Sequence, residues 1–168
     1  MEKEKNILLN NKQIEQKLNR LAFQIYEDNS DVNEIVLAGI VKSGYELAER
    51  IEALLKPIAS FRITLTPVKF TKHGKMDQKI EIGLSKEELS GKVVILIDDV
   101  MNSGKTMLNA MKPFLDAEIK KLRTLVLIDR NHKSYAVSSD FVGLSLATTL
   151  QEHVSVEIGS SGIEAWIR

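Results

Sequence analysis

Apolar residues recur along this chain with two different spacings. Ile14, Leu18, Leu21, Ala22 and Ile25 fall three or four residues apart, which predicts an amphipathic helix over residues 12–28. Glu34 to Ile40 is a short run of branched apolar residues, the mark of a parallel strand covered on both faces. Ser43 to Glu46 fits a capping box, with Ser43 as the cap and Glu46 reaching back. Leu47, Ala48, Ile51, Leu54 and Leu55 form the buried stripe of a second helix that stops before Pro57. Phe61 to Phe70 alternates loosely, as a strand does. Lys69 to Lys79 has no period and holds four lysines and one aspartate, a local charge of +3, and predicts a mobile basic loop. Ser85 to Glu88 looks like another capped turn. Val93 to Ile97 is a buried strand that runs into Asp98 and Asp99. Met107, Leu108, Ala110, Met111, Phe114 and Leu115 mark the next helix, with Pro113 in its last turns. Leu122 to Ile128 is a further strand, and short strand-like pieces follow from Phe141 onward.

This alternation of helix and strand predicts an α/β fold: a Rossmann-like, mostly parallel sheet flanked by helices, in a single domain over residues 1–168. Ligands of such sheets bind beyond the carboxyl ends of the strands. Two strand ends therefore matter, Ala38 to Gly44 and Asp98 to Thr106. Composition narrows the partners. With 23 basic and 23 acidic residues the formal net charge is zero, which excludes a grossly basic nucleic-acid binder and leaves a local basic face open. The absence of cysteine removes thiolate nucleophiles and disulfides and fits a cytoplasmic location. No apolar run nears the roughly 18 residues of a membrane span, and the polar start of the chain holds no signal-peptide core. His73 and His153 stand alone, so no metal-ligand spacing is apparent.

The chemistry concentrates in Val93 to Thr106. A buried strand delivers two adjacent carboxylates, then a short loop, then a helix N-terminus. Ser103 and Thr106 offer hydroxyls, Gly104 lets the backbone approach a ligand closely, and the helix start presents unpaired N–H groups and positive dipole. Hydroxyls and amides suit a phosphate; paired carboxylates suit sugar hydroxyls or a hydrated magnesium ion. A Walker nucleotide-binding loop would need a glycine five positions before Gly104, where Asp99 stands.

The whole string, from the apolar run through the two acids to Ser103-Gly104-Lys105-Thr106, resembles the phosphoribosyl-pyrophosphate motif of type I phosphoribosyltransferases. Ile128 to Lys133, Asp140 to Gly143, Thr148-Thr149 and the opening helix are similar to the bifunctional pyrimidine-operon attenuator/uracil phosphoribosyltransferases. The resemblance implies a type I phosphoribosyltransferase fold with a small hood. It implies transfer of ribose 5-phosphate from phosphoribosyl pyrophosphate, with magnesium, to a nucleobase, and a homo-oligomer, first of all a dimer. Asp98 and Asp99 would hold the ribose and stabilise positive charge; Met101, Asn102, Ser103, Gly104, Lys105 and Thr106 would hold the 5-phosphate. Val41, Lys42, Ser43 and Gly44 would hold pyrophosphate, Lys72 and Lys75 would sit in the covering loop, and Asp129 and Arg130 would lie near the base or the pyrophosphate.

Some positions depart from that group. Its pyrophosphate loop carries an arginine just before the final glycine, where this chain has Ser43, with Lys42 one place earlier. Its covering loop carries a Tyr-Arg-Asp-Asp string that is missing here. Purine-salvage relatives place an aspartate at Asn102; an asparagine cannot act as a base at neutral pH, so uracil is the expected acceptor. The alternative is a nucleotide-sensing RNA-binding attenuator. Glu15, Gln16 and Asp28 stand where the RNA side of that group tends to be basic, with Arg20 kept, and His132 and Lys133 match its RNA face. RNA is thus a possible partner that the acids disfavour.

Overall fold

The apolar runs become the inner strands of one sheet. A computed structural model describes residues 6–73, 77–149 and 151–168. In chain order the elements are β1 (Asn6–Leu9), α1 (Asn11–Asp28), β2 (Glu34–Ile40), α2 (Ser43–Leu55), β3 (Arg62–His73), β4 (Asp77–Ile82), α3 (Lys86–Leu89), β5 (Val93–Met101), α4 (Lys105–Leu115), β6 (Lys121–Asp129), β7 (Phe141–Ser145), β8 (Val154–Gly159) and β9 (Gly162–Ile167). The large sheet has the order β4-β3-β2-β5-β6-β7. All its pairings are parallel except that of β3 with β4.

Both faces are covered, which is why β2, β5 and β6 read as unbroken apolar runs. Ile35, Leu37, Ile95, Ile97, Leu125 and Leu127 meet the stripes of α1 and α2. Val36, Ala38, Val94, Leu96 and Val126 meet Met107, Ala110 and Phe114 of α4 and Leu89 of α3. The strand order places β5 at the centre, between β2 and β6, so whatever β5 carries at its carboxyl end is held by neighbours on both sides.

The capped turn at Ser85 forms as predicted: Ser85 Oγ accepts from Glu88 N, and Glu88 returns the bond to Ser85 N. The box at Ser43 does not form. Lys42 is the cap, in right-handed helical conformation, and Ser43 is already the first helical residue. A capping side chain needs an extended cap residue to turn its oxygen back onto the first-turn N–H groups. Here no side chain covers them.

The predicted basic loop is mostly a β-ribbon. Lys69 to His73 end β3, and Asp77 to Glu81 pair with them in register, Lys69 opposite Glu81 and Phe70 opposite Ile80. Phe70, Ile80 and Ile82 pack on the α4 side of the core. The lysines between them hide that period of two. Lys75 lies outside the described residues, and Lys72 faces Gln78 across the ribbon backbone.

The strand-like pieces at the end form the expected hood. β8 and β9 pair antiparallel, and β1, unpredicted because it is only four residues long, adds to β9. Leu9, Val154, Ile163 and Ala165 join the core beneath α1 and α2. No described helix is long and apolar enough to cross a membrane.

Candidate active site

The strand β5 does not stop at its acids. It continues through them to Met101, pairing Asp98 with Val126 and Met101 with Asp129 on β6. The carboxylates are thus held by a paired backbone, and each folds onto the next amide: Asp98 Oδ1 accepts from Asp99 N at 2.9 Å, and Asp99 Oδ1 from Val100 N at 2.8 Å. The chain then turns through Asn102 and Ser103 to Gly104, the cap of α4, whose φ of 87° suits glycine. Ser103 Oγ accepts from Lys105 N at 3.3 Å. Asp98 and residues 100–107 line one small cleft.

The second strand end meets the same place. A β-carbon on Gly44 would lie 2.5 Å from Ile97 O and 3.2 Å from Asp98 Oδ1, so only a glycine lets the first turn of α2 rest against β5 there. Gly39 similarly admits the backbone of Tyr45. Val41 N donates to Val68 O at 3.0 Å, tying the 41–44 loop to β3. Lys42 and Val41 are exposed; Lys42 Nζ lies 3.9 Å from Glu46 Oε1, a solvent-screened pair.

Asp98 is electrostatically costly. Burial pushes its carboxyl well above the ordinary 3.8, and the neighbouring Asp99 pushes in the same direction, by like charge and by a side-chain hydrogen bond. The bond from Asp99 N only partly offsets this, and no cation is among the groups acting on it. A carboxylate held this way favours a partner that brings positive charge or hydroxyl donors. Among the described residues, no group of three or more His, Cys, Asp or Glu could hold a metal ion without help from a ligand.

A phosphoribosyl transferase domain model matches residues 5–158. The chain belongs to the phosphoribosyltransferase domain family. It is 34% identical over 168 residues to the bifunctional protein PyrR of Pelotomaculum thermopropionicum, covering 94% of this chain and 91% of that protein. It is 32% identical over 164 residues to the bifunctional protein PyrR of Clostridium beijerinckii, at 92% and 90% coverage. A solved hypoxanthine-guanine phosphoribosyltransferase from Bacillus anthracis superposes with a TM-score of 0.72 at 22% identity, over 89% of this chain and 86% of that one, a likeness of fold. The enzyme class is accordingly glycosyl transfer, moving a phosphoribosyl group from phosphoribosyl pyrophosphate to a nucleobase.

In this phosphoribosyltransferase the loop after β6 buttresses the cleft, a role that no local sequence signal marks. Ser103 O accepts from both Ser134 N (3.0 Å) and Tyr135 N (3.1 Å). The space over Gly104 is taken by that loop: a β-carbon there would lie 2.4 Å from Val137 Cγ1. The expectation that Gly104 is bare to admit a ligand is therefore corrected on this side; its bare face admits Val137. Asp129 and Arg130 lie at the rim, facing their own surroundings. Asp129 Oδ1 accepts from Asn131 N, and its Oδ2 pairs with Lys133 Nζ at 3.0 Å. Arg130 is buried and donates to Asn102, Thr148, Thr149 and Glu152.

Two outcomes follow from this geometry. A group whose folded pKa is raised stabilises the fold in its protonated form; that contribution is complete below the ordinary value near 3.8 and is lost as pH rises through the folded value. At neutral pH the Asp98 carboxylate is thus a net cost, and Asp98→Asn should raise the melting temperature at pH 7. The gain should shrink steadily toward pH 4, which thermal melts across that range will read. Gly104→Ala should cost about 1–3 kcal/mol, from strain at positive φ and the clash with Val137. Adding Val137→Ala should return part of that loss in urea unfolding, since it removes the clashing methyl.

Proposed function

We propose that this enzyme transfers ribose 5-phosphate to N1 of uracil. The bond from the anomeric carbon to pyrophosphate oxygen breaks, its electron pair leaving with pyrophosphate; the bond to N1 forms, and the N1 proton is released. The observation that carries this reading is one cleft in which half-buried Asp98 precedes the amide-rich start of α4.

Asp98 and Asp99 hold the ribose hydroxyls and stabilise the positive charge that develops on the sugar, an effect strengthened by burial. The backbone from Met101 to Thr106, with the Ser103 and Thr106 hydroxyls and the Lys105 charge, holds the 5-phosphate at a helix N-terminus. Val41, Lys42, Ser43 and Gly44 hold pyrophosphate with uncapped first-turn amides, since no side chain caps α2. Lys72 and Lys75, the lysines expected to cover the site, would counter its charge. Asp129 and Arg130 serve by holding the rim. Magnesium fits this site, because Asp98 has no cationic partner among the described residues; bound with the substrate, it would neutralise pyrophosphate charge, with Asp98 and Asp99 beside it. The rest of catalysis is positioning. The unit acts as one domain in the cytoplasm, as a dimer, which light scattering will check.

A panel of nucleobases with phosphoribosyl pyrophosphate and magnesium, read by pyrophosphate release, tests this directly. Uracil should be consumed in preference to hypoxanthine and guanine. Asp98→Asn with Asp99→Asn should lower turnover at least about a hundredfold with the circular dichroism spectrum retained. Normal turnover in that variant would remove the acids from the mechanism.

The resemblance to the attenuator group raises RNA binding as a second role, and the relatives are named bifunctional. The charge argument from sequence needs correction on both sides. Asp28 is not a free acid: Lys121 Nζ (2.8 Å) and Arg123 Nε (3.2 Å) pair with it, and these bonds outweigh its burial and lower its pKa. The cations on the other side of the balance are occupied as well. Arg20 donates to Val142 O and Gly143 O, Lys133 pairs with Asp129, and Arg130 is buried. These pairings reduce the cationic side chains on that face available to replace phosphate counterions. Filter binding to a pyrimidine-operon leader hairpin near 0.15 M salt should therefore be weak, with or without uridine monophosphate. Tight, nucleotide-stimulated binding would put the regulatory role first.

A further inference from the structure

One peptide group of the cleft is held from outside it. Ser103 O accepts from Ser134 N at 3.0 Å and from Tyr135 N at 3.1 Å, and neither donor residue lines the cleft. The peptide from Ser103 to Gly104 is trans, so its C=O and its N–H point in opposite directions. That N–H belongs to Gly104, a buried residue that does line the cleft, and it is turned away from the loop that holds its carbonyl. Among the described residues nothing accepts from it, and no side chain caps α4. A peptide next to a glycine is ordinarily easy to turn over, because no β-carbon opposes the rotation. Two contacts oppose it here. The paired bonds fix the carbonyl, and Val137 Cγ1 fills the space that a β-carbon on Gly104 would need.

We propose that Ser134, Tyr135 and Val137 are positioning residues for the 5-phosphate: they hold the 103–104 peptide so that the Gly104 N–H is aimed at the phosphate before it arrives. This rests on the reading above that places the 5-phosphate at the start of α4. Ser134 and Tyr135 act through their backbone amides, Val137 through its side chain, and none of the three touches the ligand. Two donors on one carbonyl also polarise the peptide, which makes its N–H a stronger donor to an anion. A donor oriented by the fold need not be ordered on binding, so its bond to phosphate adds to affinity more fully. The loop after β6 therefore tunes phosphate affinity from more than thirty residues along the chain.

Amide NMR of the full chain, titrated with ribose 5-phosphate and magnesium, reads this at one atom. In the unaltered protein the Gly104 amide proton should move downfield as the ligand binds. Replacing Tyr135 by its α-hydroxy acid puts an ester in place of the amide, which deletes one donor to Ser103 O and keeps the side chain. Affinity read at Gly104 should then fall about fivefold, and the downfield shift at saturation should shrink. Val137→Ala should weaken binding in the same direction. Val137→Ile, which keeps the γ-methyl against Gly104, should bind like the unaltered protein. Pyrophosphate read at the Gly44 amide should bind all variants alike, since no described hydrogen bond joins this loop to residues 41–44. Unchanged affinity at Gly104 in either the ester variant or Val137→Ala overturns the inference and leaves the phosphate site standing. An equal loss at Gly104 and Gly44 overturns it too, as general damage to the fold. No shift at Gly104 in the unaltered protein defeats the phosphate reading itself, and the inference with it.

Discussion

A carboxyl group held within the carboxyl-terminal half of the central strand, after an apolar run and beside a second carboxyl, is the constraint around which the site is arranged. Asp98 follows five buried residues of β5 and is flanked by β2 and β6. Its burial and the charge of Asp99 disfavour its ionised form, and no cation is among the groups acting on it. A carboxylate in these surroundings suits a ligand that supplies the missing positive charge or hydroxyl donors.

The surrounding backbone is fitted to that group by close approach at two glycines. Gly44 lets α2 start against Ile97 and Asp98, and Gly104 lets the turn before α4 accept Val137 from a loop more than thirty residues further on. One carbonyl, that of Ser103, then collects two amides from the same loop. The cleft is therefore clamped from behind by a segment that touches no part of its interior, and Arg130 adds a second clamp from β6 to the hood-bound segment at Thr148 to Glu152. Rigid support of this kind is what a site needs if its catalysis is mainly positioning.

The charged residues show how pairing changes a charge count. Asp28 joins α1 to β6 through Lys121 and Arg123, and Arg20 joins α1 to β7 through two carbonyls. These side chains carry the packing of the first helix against the sheet edge, and their net effect on an incoming polyanion is smaller than their formal charges indicate.

The order of helices and strands, the covered parallel sheet and the acid-loop-helix segment were legible in the sequence, because each depends on local spacing: period two or continuous apolar runs for strands, period near four for helices, and contiguous residues for the cleft. Tertiary structure decided what spacing cannot express. Whether Ser43 caps α2 depended on the backbone conformation at Lys42; whether Lys69 to Lys79 was loop or ribbon depended on Phe70, Ile80 and Ile82 finding the core. Asp129 and Arg130, adjacent to the cleft in sequence logic, spend their polar atoms on their own surroundings, and Val137 occupies the space that an isolated reading of Gly104 assigned to ligand. The physical reason is common to these cases. A hydrogen-bonding group or an empty volume is claimed by whichever partner the fold brings nearest, and those partners lie tens of residues away along the chain.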